Sequence, residues 1–277
     1  MSDFQTPPVV SSDSAFDQAS MRIKRCRYGA VLYNTHDVYI GRSFDLYGEY
    51  AESEMNLLGS MLKPGQIAFD VGANIGAHTL FFADRVGAKG RVVALEPQRQ
   101  VFQTLCANVA LNALGNVMTF HVAAGAAPGA TQVPVPDYAN DGNFGGISVG
   151  QGGGETVQVM TVDQLGVPAL ALIKIDVEGM ELEVLKGAQA TLTKHRPVLY
   201  VENDRREKSA ALVAHILGLG YRAYWHIAPL FNANNYFKAK DNVFGNTVSL
   251  NMLCLPREID QSIQGLPEIK SADDFPI

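Results

Sequence analysis

The chain has little cysteine and no long apolar run. Only three cysteines occur in 277 residues, Cys26, Cys106 and Cys254. They are odd in number, far apart and form no Cys-x-x-Cys pair, which argues against a disulfide framework and a thiolate zinc site. Reduced thiols in a cytoplasmic protein are the expectation that remains. No hydrophobic stretch approaches the roughly 18 residues of a membrane span. The opening MSDFQTPPVVSSDSAFDQAS lacks the basic-then-apolar order of a signal peptide. Basic excess is also missing: 22 Lys plus Arg stand against 28 Asp plus Glu, a net charge of −6. A nucleic-acid binder would show a basic face instead. No fixed-period repeat is visible, so a solenoid is not expected. What is present is globular composition, 47% hydrophobic and 18% charged, in a chain long enough to bury a sizeable core.

Residues 1–25 begin rich in Ser, Asp and Pro and are expected to form a flexible tail. Val31 and Tyr33, then Val38 and Ile40, alternate around a polar turn at 34–37, the pattern of a β-hairpin. A helix over 49–62 follows, closed by Pro64-Gly65. Residues 26–64 thus read as a hairpin and helix cap. From 65 to 256 the rhythm changes to continuous apolar strands alternating with helices. Strands are expected near 67–71, 91–95, 117–122, 170–175, 197–201, 221–226 and 248–255, with helices near 77–86, 98–114, 180–194 and 208–217. That alternation means an α/β domain built on a parallel sheet covered on both faces. Residues 257–277 remain as a C-terminal tail. Residues 137–155 hold seven glycines in nineteen positions, a surface loop or a lid over a ligand. Departure near a ligand crevice favours the lid.

The first strand of this domain runs into Asp70-Val-Gly72-Ala-Asn74-Ile-Gly76, and a helix opens directly after it. Gly72 suits a tight turn and Gly76 a close helix contact. Twenty residues beyond Gly76, Glu96 ends the second strand, where a carboxylate accepts both hydroxyls of a ribose. A dinucleotide site would carry G-x-G-x-x-G. Here Asn74 fills the second glycine position, and Asp70 before the turn would repel a pyrophosphate yet receive an ammonium group. A cationic, amino-acid-bearing nucleoside fits, which describes S-adenosylmethionine. An NAD(P)-dependent oxidoreductase is the alternative from another class.

FDVGANIG, IKIDVEGMELEVLKGA at 173–188 and PVLYVEN at 197–203, with Gly48-Glu-Tyr50, Glu54 and the LKPG before the first strand, resemble the FkbM family of S-adenosylmethionine-dependent methyltransferases. The likeness covers about 48–256. It implies a Rossmann-like class I methyltransferase fold, a seven-stranded, mostly parallel sheet with helices on both faces and a last antiparallel strand. It implies methyl transfer to a hydroxyl of a sugar, a macrolide or polyketide, or a related small molecule, with N-methylation as the alternative. Carried over, Asp70, Gly72, Asn74 and Gly76 would line the methionine half of the cofactor and Glu96 would hold the ribose. Val122 and Ala123 would lie near the adenine, and Glu54 would approach the amino end. His78 reads as a packed or exposed helix residue.

The strand ends supply the candidate chemistry, because ligands of open α/β sheets bind outside the carboxyl ends of the strands. Asp176 and Glu178 follow the fourth strand and Glu202 the fifth; His226 follows the sixth and has the pKa range of a base. These four are the catalytic candidates, His226 also reading as a packing residue. Lys174, in mid-strand, is expected to pair with a carboxylate. Asp176, Glu202 and Asn203 would offer three oxygen ligands of the kind Mg²⁺ takes. That set is similar to the Asp…Asp-Asn set of catechol-type O-methyltransferases, with Glu replacing the second Asp. The other reading has these groups orient a metal-free acceptor. The expected partner is a small hydroxylated acceptor, with no nucleic acid and no membrane; a homo-oligomer is compatible.

Overall fold

The computed structural model describes residues 20–150, 153–259 and 263–276; the expected tail at 1–19 lies outside them. The elements in chain order are β1 (Met21–Cys26), β2 (Gly29–Asn34), α1 (Ile40–Tyr47), α2 (Glu52–Met61), β3 (Ile67–Val71), α3 (Ala77–Val86), β4 (Arg91–Leu95), α4 (Arg99–Leu111), β5 (Val117–Phe120), β6 (Ala123–Ala124), β7 (Gly129–Val133), β8 (Glu155–Met160), a 3₁₀ turn (Val162–Leu165), β9 (Leu172–Ile175), α5 (Glu181–Lys186), α6 (Gln189–His195), β10 (Val198–Glu202), α7 (Arg206–Gly218), β11 (Tyr221–Pro229), β12 (Val248–Pro256) and β13 (Glu268–Ile269). The main sheet has eight strands in the order β13-β11-β12-β10-β9-β3-β4-β5. Strands β10, β9, β3, β4 and β5 pair in parallel, and β12 lies antiparallel between β10 and β11. This is the expected α/β methyltransferase sheet of seven strands, with β13 added at one edge.

Side chains alternate across the sheet, and the alternation decides which residues can meet. Phe69, Val71, Ile173, Ile175, Leu199 and Val201 pack with Val184, Leu185, Leu192, Leu212, Val213 and Ile216 of α5, α6 and α7. On the opposite face Ala68, Val92, Leu172, Tyr200 and Leu253 pack with Met55 and Leu58 of α2, Leu80 and Phe82 of α3, and Val31 and Tyr33 of the hairpin. Each such fully buried side chain contributes about 1.5–3 kcal/mol. The hairpin and α2 therefore cap one face of the sheet. Among the described residues no helix is long and apolar enough to cross a membrane.

Four expectations need correction. The hairpin turns one strand earlier than the alternation predicts, at Arg27-Tyr28, with Cys26 opposite Gly29. Residues 38–40 do not form its second strand because Asp37 Oδ1 accepts the backbone N–H groups of Tyr39 and Ile40, each at 2.9 Å, and α1 starts there. Residues 21–25, assigned to the tail, are strand β1. The helix expected over 180–194 is two helices, α5 and α6, broken at Gly187; a Cβ there would sit 2.1 Å from the Gly125 carbonyl oxygen, so another stretch of backbone runs against it. Finally, the C-terminal stretch is docked. Strand β13 pairs with β11, Trp225 Nε1 donates to the Asp274 carbonyl at 3.1 Å, and Phe275 meets Trp225 edge-on at 5.6 Å. A small sheet in the order β6-β8-β7, flanking the glycine-rich segment, was not anticipated.

Candidate functional site

A cleft of about 400 Å³ opens at the carboxyl ends of β3, β4, β9 and β10, within the size range of small-molecule sites. Its first wall is mostly backbone. Gly72 adopts φ +79°, and a Cβ at this position would come within 1.7 Å of the Asp176 carbonyl oxygen, so only glycine fits. Asn74 has φ +50° without being glycine, supported locally because its Oδ1 accepts the Ile75 N–H at 2.7 Å. Its own N–H donates to Glu96 Oε2 at 2.9 Å, while Glu96 Oε1 accepts the Gln98 N–H at 2.8 Å. Glu96 is thereby aimed from the end of β4 into the cleft with one lone pair used on each oxygen. Burial pushes its carboxyl up to about 7, against the two N–H groups that favour the anion. Val122 and Ala123 line the wall beyond, with Gln98, Ile147 and Val149.

The second wall is mostly side chains. Asp176, Glu178, Glu202, Asp204 and Arg205 line it, with Met180, Leu230, Thr247, Val248 and Tyr50 around them. Carboxylate oxygens of Asp176, Glu178 and Glu202 all lie within 4.8 Å of one another. Their charges are sorted by their surroundings. Burial would raise the Asp176 carboxyl, but the Lys174 ammonium and hydrogen bonds from Glu202 and Lys174 hold it low. Burial and the Asp176 charge push Glu178 up to about 7, although Arg205 opposes the shift. Glu202 is raised far more, by burial and then by the charges of Asp176 and Glu178, and its buried Oε2 has no partner. Among these three carboxyls the surroundings therefore favour the ionised form of Asp176, bring Glu178 to about 7 and favour the neutral form of Glu202. Glu178 also sits at φ +57°, a costly conformation for a non-glycine residue. Arg205 Nη2 donates to Glu178 Oε2 at 2.5 Å and its Nε lies 3.3 Å from Asp204.

The glycine-rich segment folds over this cleft. Asn143, Gly145, Gly146, Ile147 and Val149 line it, Gln98 Nε2 donates to the Phe144 carbonyl at 2.8 Å, and Ser148 Oγ donates to the Glu178 carbonyl at 2.9 Å. A backbone bridge between Asp37 and Gly142 ties it to the N-terminal cap. Residues 151–152 of the segment lie outside the described residues.

Several sequence candidates do not line the cleft. Asp70 is fully buried, and the ammonium it receives is that of Lys174, 3.6 Å from its Oδ1; Thr79 Oγ1 donates to its Oδ2 at 2.6 Å. The reason is alternation: Asp70 pairs in register with Lys174 and shares the face covered by α3. Lys174 pairs as expected, with Asp176 at 3.1 Å. Gly76 starts α3 at φ +96°, where a Cβ would lie 2.8 Å from Leu105 Cδ1, so it serves helix packing. Glu54 is buried against His78 at 3.1 Å and Asn251 at 3.3 Å. His226 is buried as well, with Nδ1 2.8 Å from the Tyr200 hydroxyl and Nε2 3.3 Å from Ser53 Oγ; burial lowers its pKa, so it stays neutral.

The expected magnesium set is not assembled. Asn203, one residue beyond Glu202, points to the opposite face, where its Nδ2 donates to Ser209 Oγ at 2.9 Å and lies 3.3 Å from Met252 Sδ. Of the carboxyls that do converge, Asp176 is compensated by Lys174 and Glu178 by Arg205, and burial favours the neutral form of Glu202. These residues do not fit a dedicated divalent-cation site. Arg205 is not among the residues the sequence singles out; its position shortly after the β10 end was the available signal. Tyr50 lay within the Gly48-Glu-Tyr50 stretch of the resemblance without a role assigned to it, and Leu230, Thr247 and Val248 carried no signal.

With this geometry in view, the relatives can be compared. The Methyltransferase FkbM domain matches residues 70–223. The hexuronic acid methyltransferase AglP of Haloferax volcanii is 33% identical over 153 residues, 53% of this chain and 59% of that protein. The AMB antimetabolite synthetase AmbE of Pseudomonas aeruginosa is 27% identical over 196 residues, 55% of this chain and 9% of that protein. The chain thus spans less than two thirds of either curated relative. Among solved structures, a methyltransferase FkbM from Methylobacillus flagellatus KT superimposes with a TM-score of 0.46 at 20% identity, covering 73% of this chain and 50% of the other. The precorrin-6y C5,15-methyltransferase of Geobacter metallireducens gives 0.49 at 15% identity, covering 73% and 88%. The domain match takes in more than half of the chain and most residues of both cleft walls, including Gly72, Glu96, Asp176, Glu178 and Glu202, and the chain belongs to the FkbM methyltransferase family.

Proposed function

We propose that the protein transfers the methyl group of S-adenosylmethionine to a hydroxyl oxygen of a sugar-type acceptor. The observation that carries this reading is one cleft holding Glu96 beyond the Gly72–Asn74 turn at one end and the Asp176, Glu178 and Glu202 carboxyls at the other. The free lone pairs of Glu96 accept the two ribose hydroxyls, Val122 and Ala123 flank the base, and the 72–74 backbone meets the amino-acid part. The sugar class is supported by the relative named for hexuronic acid. Membership of a methyltransferase family sets the NAD(P)-dependent alternative aside.

The cofactor sulfonium is already activated, so the protein has to align donor and acceptor and remove one proton. In the transfer the acceptor oxygen forms the new O–CH₃ bond while the S–CH₃ bond breaks, and the hydroxyl proton goes to a carboxylate. Glu178 is the base in this scheme, because a pKa of about 7 matches a neutral operating pH. Ionised Asp176 accepts a hydrogen bond from a second, neighbouring hydroxyl of the sugar and so orients the acceptor, while protonated Glu202 donates its one hydrogen to Asp176 and holds that carboxylate in place. His226 serves as a buried support, and no step needs a metal. A second reading, N-methylation, is favoured by one observation: four carboxyls at the acceptor end would attract an amine-bearing sugar. The three cysteines are unpaired, which supports a reducing, cytoplasmic setting.

Calorimetry tests the cofactor assignment: S-adenosylhomocysteine binds at micromolar strength and NADH does not. Absence of S-adenosylhomocysteine binding sinks the reading. Incubation with S-adenosylmethionine and a panel of neutral, amino and carboxylated sugars, with products read by mass spectrometry, then separates O- from N-methylation.

A further inference from the structure

Lys174 stands in the middle of β9, its side chain only 5% exposed, where every neighbour in the strand is apolar. Its ammonium touches three elements at once. It donates to the Gly72 carbonyl at 3.0 Å, lies 3.1 Å from Asp176 Oδ2, and faces Asp70 Oδ1 at 3.6 Å. Asp70 in turn holds the Thr79 hydroxyl in the first turn of α3. Gly72 belongs to the turn at the backbone-built end of the cleft, and Asp176 belongs to the acidic end. The two already touch through backbone, because no atom larger than hydrogen fits between the Gly72 Cα and the Asp176 carbonyl.

We propose that Lys174 is a positioning residue that fixes the Gly72 turn and the Asp176 carboxylate relative to each other, and so sets donor and acceptor in register. A buried ammonium has three donor directions; here one is used on the Gly72 carbonyl beyond β3 and one on Asp176 beyond β9, while the third faces the Asp70 charge at 3.6 Å. An apolar side chain would fill the same space without tying the segments. Ladder hydrogen bonds reach the first residue beyond each strand, with the Asp176 N–H on the Val71 carbonyl and the Gly72 N–H on the Leu95 carbonyl, each at 3.0 Å, but they fix backbone only and leave the Asp176 carboxylate free to turn away from the Gly72 turn. Alignment tolerances in group transfer are tight, and small displacements cost rate. The proposal rests on the methyltransferase reading for its ligand measurement only.

Removing Lys174 alone would strand the buried Asp70 charge and endanger the fold. The test variant is therefore D70N/K174M, which removes one charge of each sign and leaves an amide at position 70 to accept from Thr79. Amide hydrogen exchange is measured on the ligand-free protein. In the double variant the 71–76 and 175–179 segments exchange about tenfold faster together, while the core of β4 keeps its protection. The same variant binds S-adenosylhomocysteine about tenfold more weakly and loses more in kcat than in acceptor KM. Unchanged protection of both segments in a folded double variant overturns the proposal, and so does loosening of one segment alone. If the double variant fails to fold, D176A removes the tie from its exposed end; exchange over 72–76 then rises about threefold, and no change refutes the proposal. If the wild-type protein fails to bind S-adenosylhomocysteine, the cofactor reading is lost, yet the exchange result still decides the role of Lys174.

Discussion

At one end of the cleft the wall is main chain: the 72–74 turn, held by Gly72 at φ +79° and by the Asn74 N–H on Glu96. At the other end it is side chains drawn from β9, β10, α7's approach and the 143–149 segment, with carboxyls in three protonation tendencies. In the proposed reading the first end binds through shape, fixed dipoles and one carboxyl, Glu96, which burial pushes up to about 7. The second works through titrating groups whose charges are set by one another. Binding and chemistry are therefore separable in this molecule, and substitutions at the two ends should fall into different columns of a kinetic table.

The largest separation is expected at Glu178. Glu178→Gln should lower kcat by roughly 10²–10⁴-fold, the usual contribution of a general base, with S-adenosylhomocysteine affinity unchanged by calorimetry. The wild-type rate should rise with pH through about 7, because the base must be ionised to take the proton, and the variant should lose that limb. A variant with full kcat would move the base elsewhere, to Asp176 first. At the opposite end, Glu96→Ala should weaken S-adenosylhomocysteine about tenfold, about 1.4 kcal/mol. Under saturating cofactor its kcat should stay close to wild type. If Glu96→Ala leaves affinity intact, the ribose assignment falls.

The same contrast explains what could be read from the chain. Local devices were legible: the Gly72 turn, Glu96 at the end of β4 and the seven apolar strands all declare themselves within short windows, by residue type and period. Convergence was not. Asp70 sits in the motif yet points under the sheet, and Asn203 follows Glu202 yet points to α7. One residue of strand register separates a cleft-lining side chain from a buried one, and a single sequence does not state which face becomes the mouth. The glycine-rich segment was legible as a lid near the crevice, but which of its residues, 143–149, line the cleft follows from tertiary packing, as does the turn of Arg205 onto Glu178. The hairpin was misplaced because Asp37 captures two backbone N–H groups that an alternation pattern does not register.

A smaller effect sharpens the comparison through stability. Burial raises the Glu96 carboxyl from 4.5 to about 7 in the folded protein. The folded state thus holds this proton more tightly than the unfolded chain. Its contribution is fully present below about pH 4.5 and is lost as pH rises through about 7. Ligand-free Glu96→Gln should show a shallower fall in thermal midpoint between pH 4.5 and 7 than wild type. Glu178 and Glu202 have raised values too, so part of the slope should survive the substitution. Identical slopes would mean that Glu96 is solvated and its carboxyl unperturbed.

The smallest expected effect is no effect, and it bears on how the acidic end works. Three carboxyls within 4.8 Å look like a cation site, and a metal there would lower the acceptor pKa and remove the need for a base near neutrality. In this fold the same compensation comes from Lys174 beneath Asp176, from Arg205 on Glu178 and from the protonated form that burial favours on Glu202. A divalent ion would have to displace Arg205 and that proton while facing the Lys174 ammonium 3.1 Å behind Asp176. Methyl transfer measured after EDTA treatment should therefore match the untreated rate, and added Mg²⁺ should leave it unchanged. Loss of activity with EDTA, restored by Mg²⁺, would show that the carboxyls are ligands first. The rate limb near pH 7 would then belong to a metal-bound acceptor instead of Glu178.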